Sequence, residues 1–140
     1  YLRTEKRIAA ALRRMHRALR QGGVVAVEVW HAPAMERGFD PLRVRRVSGR
    51  GLEAVRIGET RLLGDSLAEV KYEIFVRRGT ASWRRFEETH VNRFFTRSEI
   101  ESLISGAGFR IRQVTGGYSD LAPSQDAWHL VIVADREAEG

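Results

Sequence analysis

The amino-acid sequence predicts an α/β fold with an antiparallel sheet inserted into it. Two apolar runs, at 24–30 and 128–134, have the composition of strands buried on both faces of a sheet. Helical periodicity precedes the first run and recurs near residue 100, and residues 42–95 alternate between apolar and polar side chains. With 140 residues, of which 43% are hydrophobic, the chain can bury one core, so a single domain is expected.

The first predicted element is an amphipathic helix that leads into a strand. Thr4 is a suitable N-cap residue for this helix, and His16 is expected on its exposed side. One buried stripe is expected from the apolar residues at helical spacing, namely Ile8, Leu12, Met15 and Leu19. Gly22-Gly23 is expected to stop the helix, because glycine adopts the left-handed C-cap conformation without steric cost. The buried strand Val24–Trp30 follows directly.

The middle of the chain, at 42–95, predicts an antiparallel meander of about four strands with one solvated face. Apolar side chains recur there with the period of two that is typical of half-buried strands. Turns are expected where glycine clusters interrupt the alternation. The expected turn positions are Gly49–Gly51, Gly58, Gly64-Asp65 and Arg78–Thr80.

A second helix is predicted from a capping box. Thr96 and Glu99 have the spacing at which each side chain accepts a hydrogen bond from the backbone of the other. The helix is expected to end at Gly106 or Gly108. A strand at 109–114, a loop and the closing apolar strand are then expected.

Composition and charge narrow the class of protein. The net charge of +6 could suit nucleic acid, but basic residues alternate with acidic ones along 53–61 and 84–88, so a mixed solvated surface is expected instead. No run of 18 apolar residues is present, so no membrane partner is expected. The absence of cysteine excludes disulfides and thiol nucleophiles and favours a cytoplasmic location. No short-range ligand spacing predicts a metal site.

The order of these elements resembles a known family. Residues 17–28, with a glycine pair before a hydrophobic strand, resemble the approach to strand five of class I S-adenosylmethionine-dependent methyltransferases, although Gln21 stands where proline is usual. Residues 94–109, with Phe-Thr-x-x-Glu and then Ala-Gly-Phe, are similar to the family's approach to strand six. Residues 128–136 are similar to strand seven. The resemblance covers nearly the whole chain.

The resemblance implies that 1–140 is the C-terminal part of a single methyltransferase domain, in which 42–95 is an inserted, substrate-side antiparallel sheet. The implied fold is a partial Rossmann-like sheet of strands five to seven, with the last strand antiparallel and between the other two. The strand end at 27–30 and the meander ending at 88–90 look most like the deoxyamino-sugar N,N-dimethyltransferases. The implied activity is methyl transfer to a nitrogen of a small metabolite, such as an amino sugar.

The cofactor-binding part of the family's pattern is not found in the sequence. Those enzymes hold S-adenosylmethionine with a glycine-rich turn after strand one and an acidic residue after strand two. The clusters Gly49-Arg50-Gly51 and Gly116-Gly117 lack the Gly-x-Gly-x-x-Gly spacing. The resemblance still implies S-adenosylmethionine as the cofactor of the complete enzyme. Because the glycine-rich turn is not found, this chain alone is expected to be inactive.

Candidate chemistry lies at the end of the first strand. Ligands of open α/β sheets bind beyond the carboxyl ends of the strands, where Glu28, Trp30 and His31 stand. An amine must be deprotonated and aligned before it accepts a methyl group, so His31 is a candidate base. Glu28 and Trp30 are candidates for binding the amine, by charge and by cation–π contact. The structural alternatives are a strand-end salt bridge for Glu28, plain packing for Trp30 and a solvated loop residue for His31. No role is expected for His129.

The end of the inserted sheet supplies a second group of candidates. Strand alternation places Glu88 and His90 on one face, so the carboxylate can orient a catalytic imidazole. A Glu–His pair at the surface or at an interface, without a catalytic role, would give the same sequence pattern. Arg85 is a candidate for binding the substrate. In the family's layout Tyr1 and Leu2 lie beside the cofactor, which makes both candidates for cofactor binding and the Tyr1 hydroxyl a candidate for catalysis.

Three alternative functions remain open at this point. The first is a non-catalytic binding or oligomerisation module derived from a methyltransferase, which would form a homodimer through an exposed sheet edge. The second is an O-methyltransferase that acts on a small molecule. The third is a basic RNA-binding protein, whose affinity would fall steeply with salt.

Overall fold

The computed structural model describes residues 2–137, so the candidate Tyr1 lies outside the described residues. The helices and strands are α1 (Glu5–Ala18), β1 (Val24–His31), α2 (Ala32–Glu36), β2 (Leu42–Gly49), β3 (Leu52–Gly64), β4 (Leu67–Arg78), β5 (Arg84–Phe95), α3 (Arg97–Ser105), β6 (Phe109–Gly116) and β7 (His129–Arg136). They form two compact units: unit 2 is Asp40–Asn92, and unit 1 is the chain before and after it.

The strands are hydrogen-bonded in the order β2-β3-β4-β5-β1-β7-β6, as a mixed and mostly antiparallel sheet of seven strands. β5 begins in unit 2 and ends in unit 1. In unit 1, β7 is antiparallel to both of its neighbours, β1 and β6. The prediction that the closing strand lies antiparallel between the other two is therefore confirmed.

Helix α1 begins as predicted but turns a different side chain toward the core. The Arg7 backbone N–H donates to Thr4 Oγ1 at 3.4 Å, which confirms the N-cap. Met15 is 46% exposed, so the predicted stripe is wrong at this position. The stripe instead continues from Leu12 to His16, four residues on, where the imidazole meets the Phe109 ring edge-on at 5.0 Å. His16 is therefore not on the exposed side of the helix.

Helix α3 shows the predicted capping box. The Glu99 N–H donates to Thr96 Oγ1 at 3.3 Å, and the Thr96 N–H donates to Glu99 Oε2 at 2.7 Å. This hydrogen bond from the Thr96 backbone lowers the pKa of Glu99. Gly106 is the C-cap residue. Gly108 follows with φ +95°, and a Cβ atom there would lie 3.1 Å from His16 Nε2, so only glycine fits this turn against α1.

The core of unit 1 lies between the two long helices and one face of the β1-β7-β6 sheet. Its buried members are Ile8, Leu12, Phe95, Ile100, Ile104, Ala107, Phe109, Leu130, Ile132 and Ala134. Val25, Val27 and Val29 of β1 pack against this cluster and are partly buried. The helices therefore cover one face of the three strands.

The prediction that β1 is buried on both faces is wrong. Val24, Ala26 and Glu28, which alternate with the packed valines, are exposed, and Val24 is 48% exposed. A run of β-branched residues indicates that the segment favours a strand, but it does not indicate whether a second layer of structure covers that strand. No long helix within residues 2–137 packs on this second face of unit 1.

Unit 2 is the predicted meander, in which β2, β3 and β4 pair antiparallel in sequence. Turns occur at the predicted positions near residues 50, 65 and 79. The turn predicted at Gly58 is wrong, because Gly58 lies inside β3, directly opposite Tyr72 of β4. A Cβ atom at Gly58 would lie 2.9 Å from Tyr72 Cε1. The glycine is therefore explained by the close approach of the Tyr72 ring.

A buried carboxylate links the two last strands. Asp135 has a side chain that is 3% exposed, and its Oδ2 accepts hydrogen bonds from Arg110 at 2.9 Å and from Arg112 at 3.2 Å. The Arg112 and Arg110 guanidinium groups hold the pKa of Asp135 well below its usual range.

Asp135→Asn is expected to destabilise the chain at neutral pH and to have little effect in strong acid. Because the folded pKa is depressed, the carboxylate stabilises the fold fully above its unfolded pKa of about 3.9, and this contribution disappears as the pH falls below that value. Denaturant unfolding at a series of pH values measures it. Asp120→Asn, on an exposed loop, is the matched control and should change stability little at any pH.

Candidate functional site

Five side chains of unit 1 meet at the carboxyl end of β1. The strand-end cluster consists of Glu28, Trp30, Tyr118, Trp128 and His129. The β1–β7 register pairs Trp30 with His129 directly, and side chains two residues apart on a strand share a face. Glu28, Trp30 and His129 therefore lie on the exposed face of the sheet, opposite the packed helices.

The Glu28 carboxylate is the centre of the strand-end cluster. Its Oε1 lies 3.5 Å from His129 Nε2, and its Oε2 accepts a hydrogen bond from the Tyr118 hydroxyl. Both the hydrogen bond and the charge of Glu28 raise the pKa of Tyr118, so this hydroxyl stays a donor at neutral pH. The Glu28 and His129 side chains are about one third exposed, at 36% and 34%, so a solute can reach both.

Aromatic rings stand beside this carboxylate. The Trp30 and Trp128 ring centroids are 5.8 Å apart at 59°, and Phe39 meets Trp128 edge-on at 5.6 Å. A carboxylate on the same strand face as a tryptophan two residues away suits a cationic amine, which gains both ion pairing and cation–π attraction. An imidazole within reach of the same carboxylate can accept a proton.

His31 is not brought into the strand-end cluster. It pairs with Phe95, a member of the helix-side core, and is 5% exposed. Its Nδ1 lies 3.1 Å from the Ala127 carbonyl oxygen, and its backbone N–H donates to the Trp128 carbonyl at 2.9 Å. His31 is also followed directly by the short helix α2, so the alternative of a solvated loop residue is wrong. Its role as a base stays a prediction.

In unit 2 the structure brings Glu88 and His90 together. His90 Nε2 lies 3.2 Å from Glu88 Oε2, and the His90 ring is 5.8 Å from the ring of Tyr72. The Arg56 guanidinium in turn lies 5.0 Å from the centroid of Tyr72. The side chains of Glu88 and His90 are 55% and 26% exposed, so the carboxylate can orient the imidazole at the surface of the strand. Their role in substrate binding or catalysis stays a prediction.

An acidic groove of about 350 Å³ lies in the same unit. Its lining residues are Ile57, Glu59, Lys71, Tyr72, Glu73, Glu87, Glu88 and Thr89. The predicted substrate ligand Arg85 bonds to Glu73 and Glu87, and the hydrogen bond to Glu73 raises the pKa of Arg85. A substrate phosphate would have to compete with both carboxylates for Arg85.

Sequence reasoning missed three members of the strand-end cluster, Tyr118, Trp128 and His129. His129 was expected to have no role, because its place opposite Trp30 depends on the register of β1 with β7. Tyr118 lies in the loop after β6 and is 84% exposed, so nothing in the local pattern marks it.

Leu2, a predicted cofactor ligand, is 45% exposed, and its role stays a prediction.

No family model matches the chain. A sequence match covers 120 residues, 85% of the chain, at 28% identity to the dTDP-3-amino-3,4,6-trideoxy-alpha-D-glucopyranose N,N-dimethyltransferase of Streptomyces venezuelae. The chain spans about half the length of the curated relatives it matches: 49% of this N,N-dimethyltransferase and 54% of a second relative.

Solved structures agree with this half-length match. Streptomyces venezuelae DesVI superposes with a TM-score of 0.79 and 24% identity, over 99% of this chain and 54% of DesVI. CalS10, an amino pentose methyltransferase from Micromonospora echinaspora solved with S-adenosylmethionine bound, superposes with a TM-score of 0.72 and 25% identity, over 96% of this chain and 52% of CalS10. The chain is therefore related, over half their length, to S-adenosylmethionine-dependent methyltransferases that include sugar N-methyltransferases.

None of the helices in the described part of the chain is long and apolar enough to cross a membrane.

Proposed function

We propose that this chain is the substrate-side half of a methyltransferase whose complete enzyme transfers a methyl group from S-adenosylmethionine to a nitrogen of a small metabolite, such as an amino sugar. The observation that carries the proposal is the strand-end cluster: an accessible carboxylate 3.5 Å from an imidazole, on the strand face that also carries Trp30, at the strand end where ligands of such sheets bind. The half-length match to sugar N-methyltransferases supports the same chemistry.

The cluster provides what an amine acceptor needs from a protein. Glu28 pairs with the ammonium form of the substrate, and Trp30 supplies an apolar wall beside it. The nitrogen must lose a proton before its lone pair can react. His129, 3.5 Å from Glu28, is placed to take that proton while the carboxylate holds the imidazole in orientation. Tyr118 donates to Glu28 and fixes its rotamer.

The residues of this chain do not fit the cofactor. The strand-to-helix transitions within residues 2–137 are β1 to α2 and β5 to α3, and neither contains glycine. Backbone amides can approach the cofactor closely only where such a turn is free of side chains. S-adenosylmethionine supplies the methyl group when it is bound, and the described residues contain no glycine turn of the kind that would hold it.

In unit 2, Glu88 and Arg85 are proposed as substrate ligands, and His90 as a catalytic imidazole oriented by Glu88. A displaced Arg85 could pair with a substrate phosphate. The support for these assignments is the 3.2 Å contact between His90 and Glu88 and the location of Glu88 in the groove lining.

The test is a methylation assay on the protein purified from its natural source, with its intact mass determined first. We expect a mass well above the 15.9 kDa of this chain, binding of S-adenosylmethionine by calorimetry, and product that carries one or two added methyl groups on a nucleotide-linked amino sugar. A protein that binds the methyl donor but methylates no amine would contradict the proposed acceptor. Methylation of a hydroxyl alone would identify an O-methyltransferase instead.

A further inference from the structure

His31 holds the two peptide groups on either side of Trp128. Its backbone N–H donates to the Trp128 carbonyl oxygen at 2.9 Å, and its Nδ1 lies 3.1 Å from the Ala127 carbonyl oxygen. A carbonyl oxygen only accepts hydrogen bonds, so Nδ1 carries the proton and acts as the donor. Because both peptide groups that flank Trp128 are held, the direction in which its side chain leaves the backbone is fixed as well.

The His31 imidazole makes this long-range contact instead of a local one. His31 is the N-cap residue of α2, but its side chain makes no capping hydrogen bond. N-cap positions favour short side chains that accept a hydrogen bond from the first turn of the helix. Here the ring reaches a carbonyl 96 positions along the chain, and His31 is 5% exposed. Its backbone is also fixed by pairing with Phe95, so a buried and well-anchored donor holds the Ala127 carbonyl.

The segment that His31 holds supplies two members of the strand-end cluster. The centroid of the Trp128 ring lies 5.8 Å from that of Trp30 and 6.4 Å from that of His129. The His129 imidazole is in turn 3.5 Å from the Glu28 carboxylate. The β1–β7 register ends at the pair of Trp30 and His129. Past that pair, the hydrogen bonds of His31 join the incoming loop to β1, so they set where this loop delivers Trp128 and His129.

We infer that His31 is a positioning residue for the proposed methyl transfer, which orients Trp128 and His129 against the Glu28 carboxylate. The inference rests on the proposed function and adds the residue that sets the geometry of its base. Displacement of a reacting group by about 1 Å can lower a rate about a hundredfold, so such a contact matters for catalysis. The buried imidazole acts through the backbone of the loop, and this role requires only a donor at the position of Nδ1.

Circular dichroism of the purified protein measures the orientation of Trp128. Two neighbouring indoles give an exciton couplet in the far-ultraviolet, and the Trp30 and Trp128 centroids are 5.8 Å apart. We expect His31→Leu, which removes the donor, to reduce this couplet at least about twofold. His31→Asn places an amide N–H at the position of Nδ1 and should retain the couplet. His31→Gln places the same amide one bond farther out and should reduce it.

Two further variants assign the signal. Trp128→Phe should abolish the couplet, and Trp83→Phe, which removes an indole of unit 2, should leave it unchanged. Each variant is compared after its cooperative unfolding transition has been verified. If His31→Leu does not fold, the comparison of His31→Asn with His31→Gln decides alone, because the two amides differ only in reach.

Kinetics of the natural protein measure the effect on catalysis. We expect His31→Gln and His31→Leu to lower kcat for amine methylation about tenfold to a hundredfold, and His31→Asn to keep it within about threefold of the natural value. The pH dependence of kcat should retain the limb of the base in every variant, because His129 is unchanged.

Two results would overturn the inference. Loss of the pH limb in His31→Asn, without recovery of kcat, would identify His31 as the base itself. Equal couplets and equal kcat values in the Asn, Gln and Leu variants would show that the imidazole positions nothing. A protein that methylates no amine would refute the proposed function, while the couplets would still decide whether His31 orients Trp128.

Discussion

Glu28→Gln is expected to lower kcat for amine methylation by about 10²–10⁴-fold in the natural protein, because it removes the carboxylate that orients the proposed base His129, and a positioned base contributes that range. The neutral amide keeps the size of the carboxylate but cannot pair with an ammonium group or stabilise a protonated His129, 3.5 Å away. The measurement is initial rate against acceptor concentration and pH, with S-adenosylmethionine saturating.

The split between kcat and KM decides what Glu28 does. A rise in KM with kcat unchanged would mean that the carboxylate only binds the amine, and a kcat within about twofold of the natural value would contradict a role in proton transfer. Glu36→Gln is the matched control, since Glu36 is an exposed carboxylate of the same unit, outside the strand-end cluster. It should leave both constants unchanged.

The elements that the sequence predicts correctly are those whose cause is local. The Thr96–Glu99 capping box needs only residues three apart, so the start of α3 can be predicted from sequence. The alternation that puts Glu88 beside His90 is likewise a property of one strand. The prediction of a turn at Gly58 is wrong because the glycine is needed for the close approach of the Tyr72 ring. Tyr72 lies fourteen positions along the chain and on another strand.

The candidate site shows the same division. Glu28 and Trp30 could be predicted, because a strand's carboxyl end can be located from its own sequence. His129 and Tyr118 could not, because their places depend on the register of β7 against β1 and on the path of a loop. The burial of His31 could not be predicted, because the helix that follows it, Ala32–Glu36, is too short to show helical periodicity.

Leu130→Ala is expected to reduce the free energy of unfolding of the chain by about 2–5 kcal/mol, because a fully buried leucine leaves both lost apolar contact and a cavity. Leu130 is 0% exposed and lies on the face of β7 that packs against the helices. Denaturant unfolding monitored by circular dichroism measures the change.

Val131→Ala is the control for this prediction, because Val131 is the next residue of β7 and points to the opposite, partly exposed face. In the isolated chain it should cost about 1 kcal/mol or less, since little apolar area is lost from the core. Equal stability losses for the two variants would contradict a core confined to one face of the sheet.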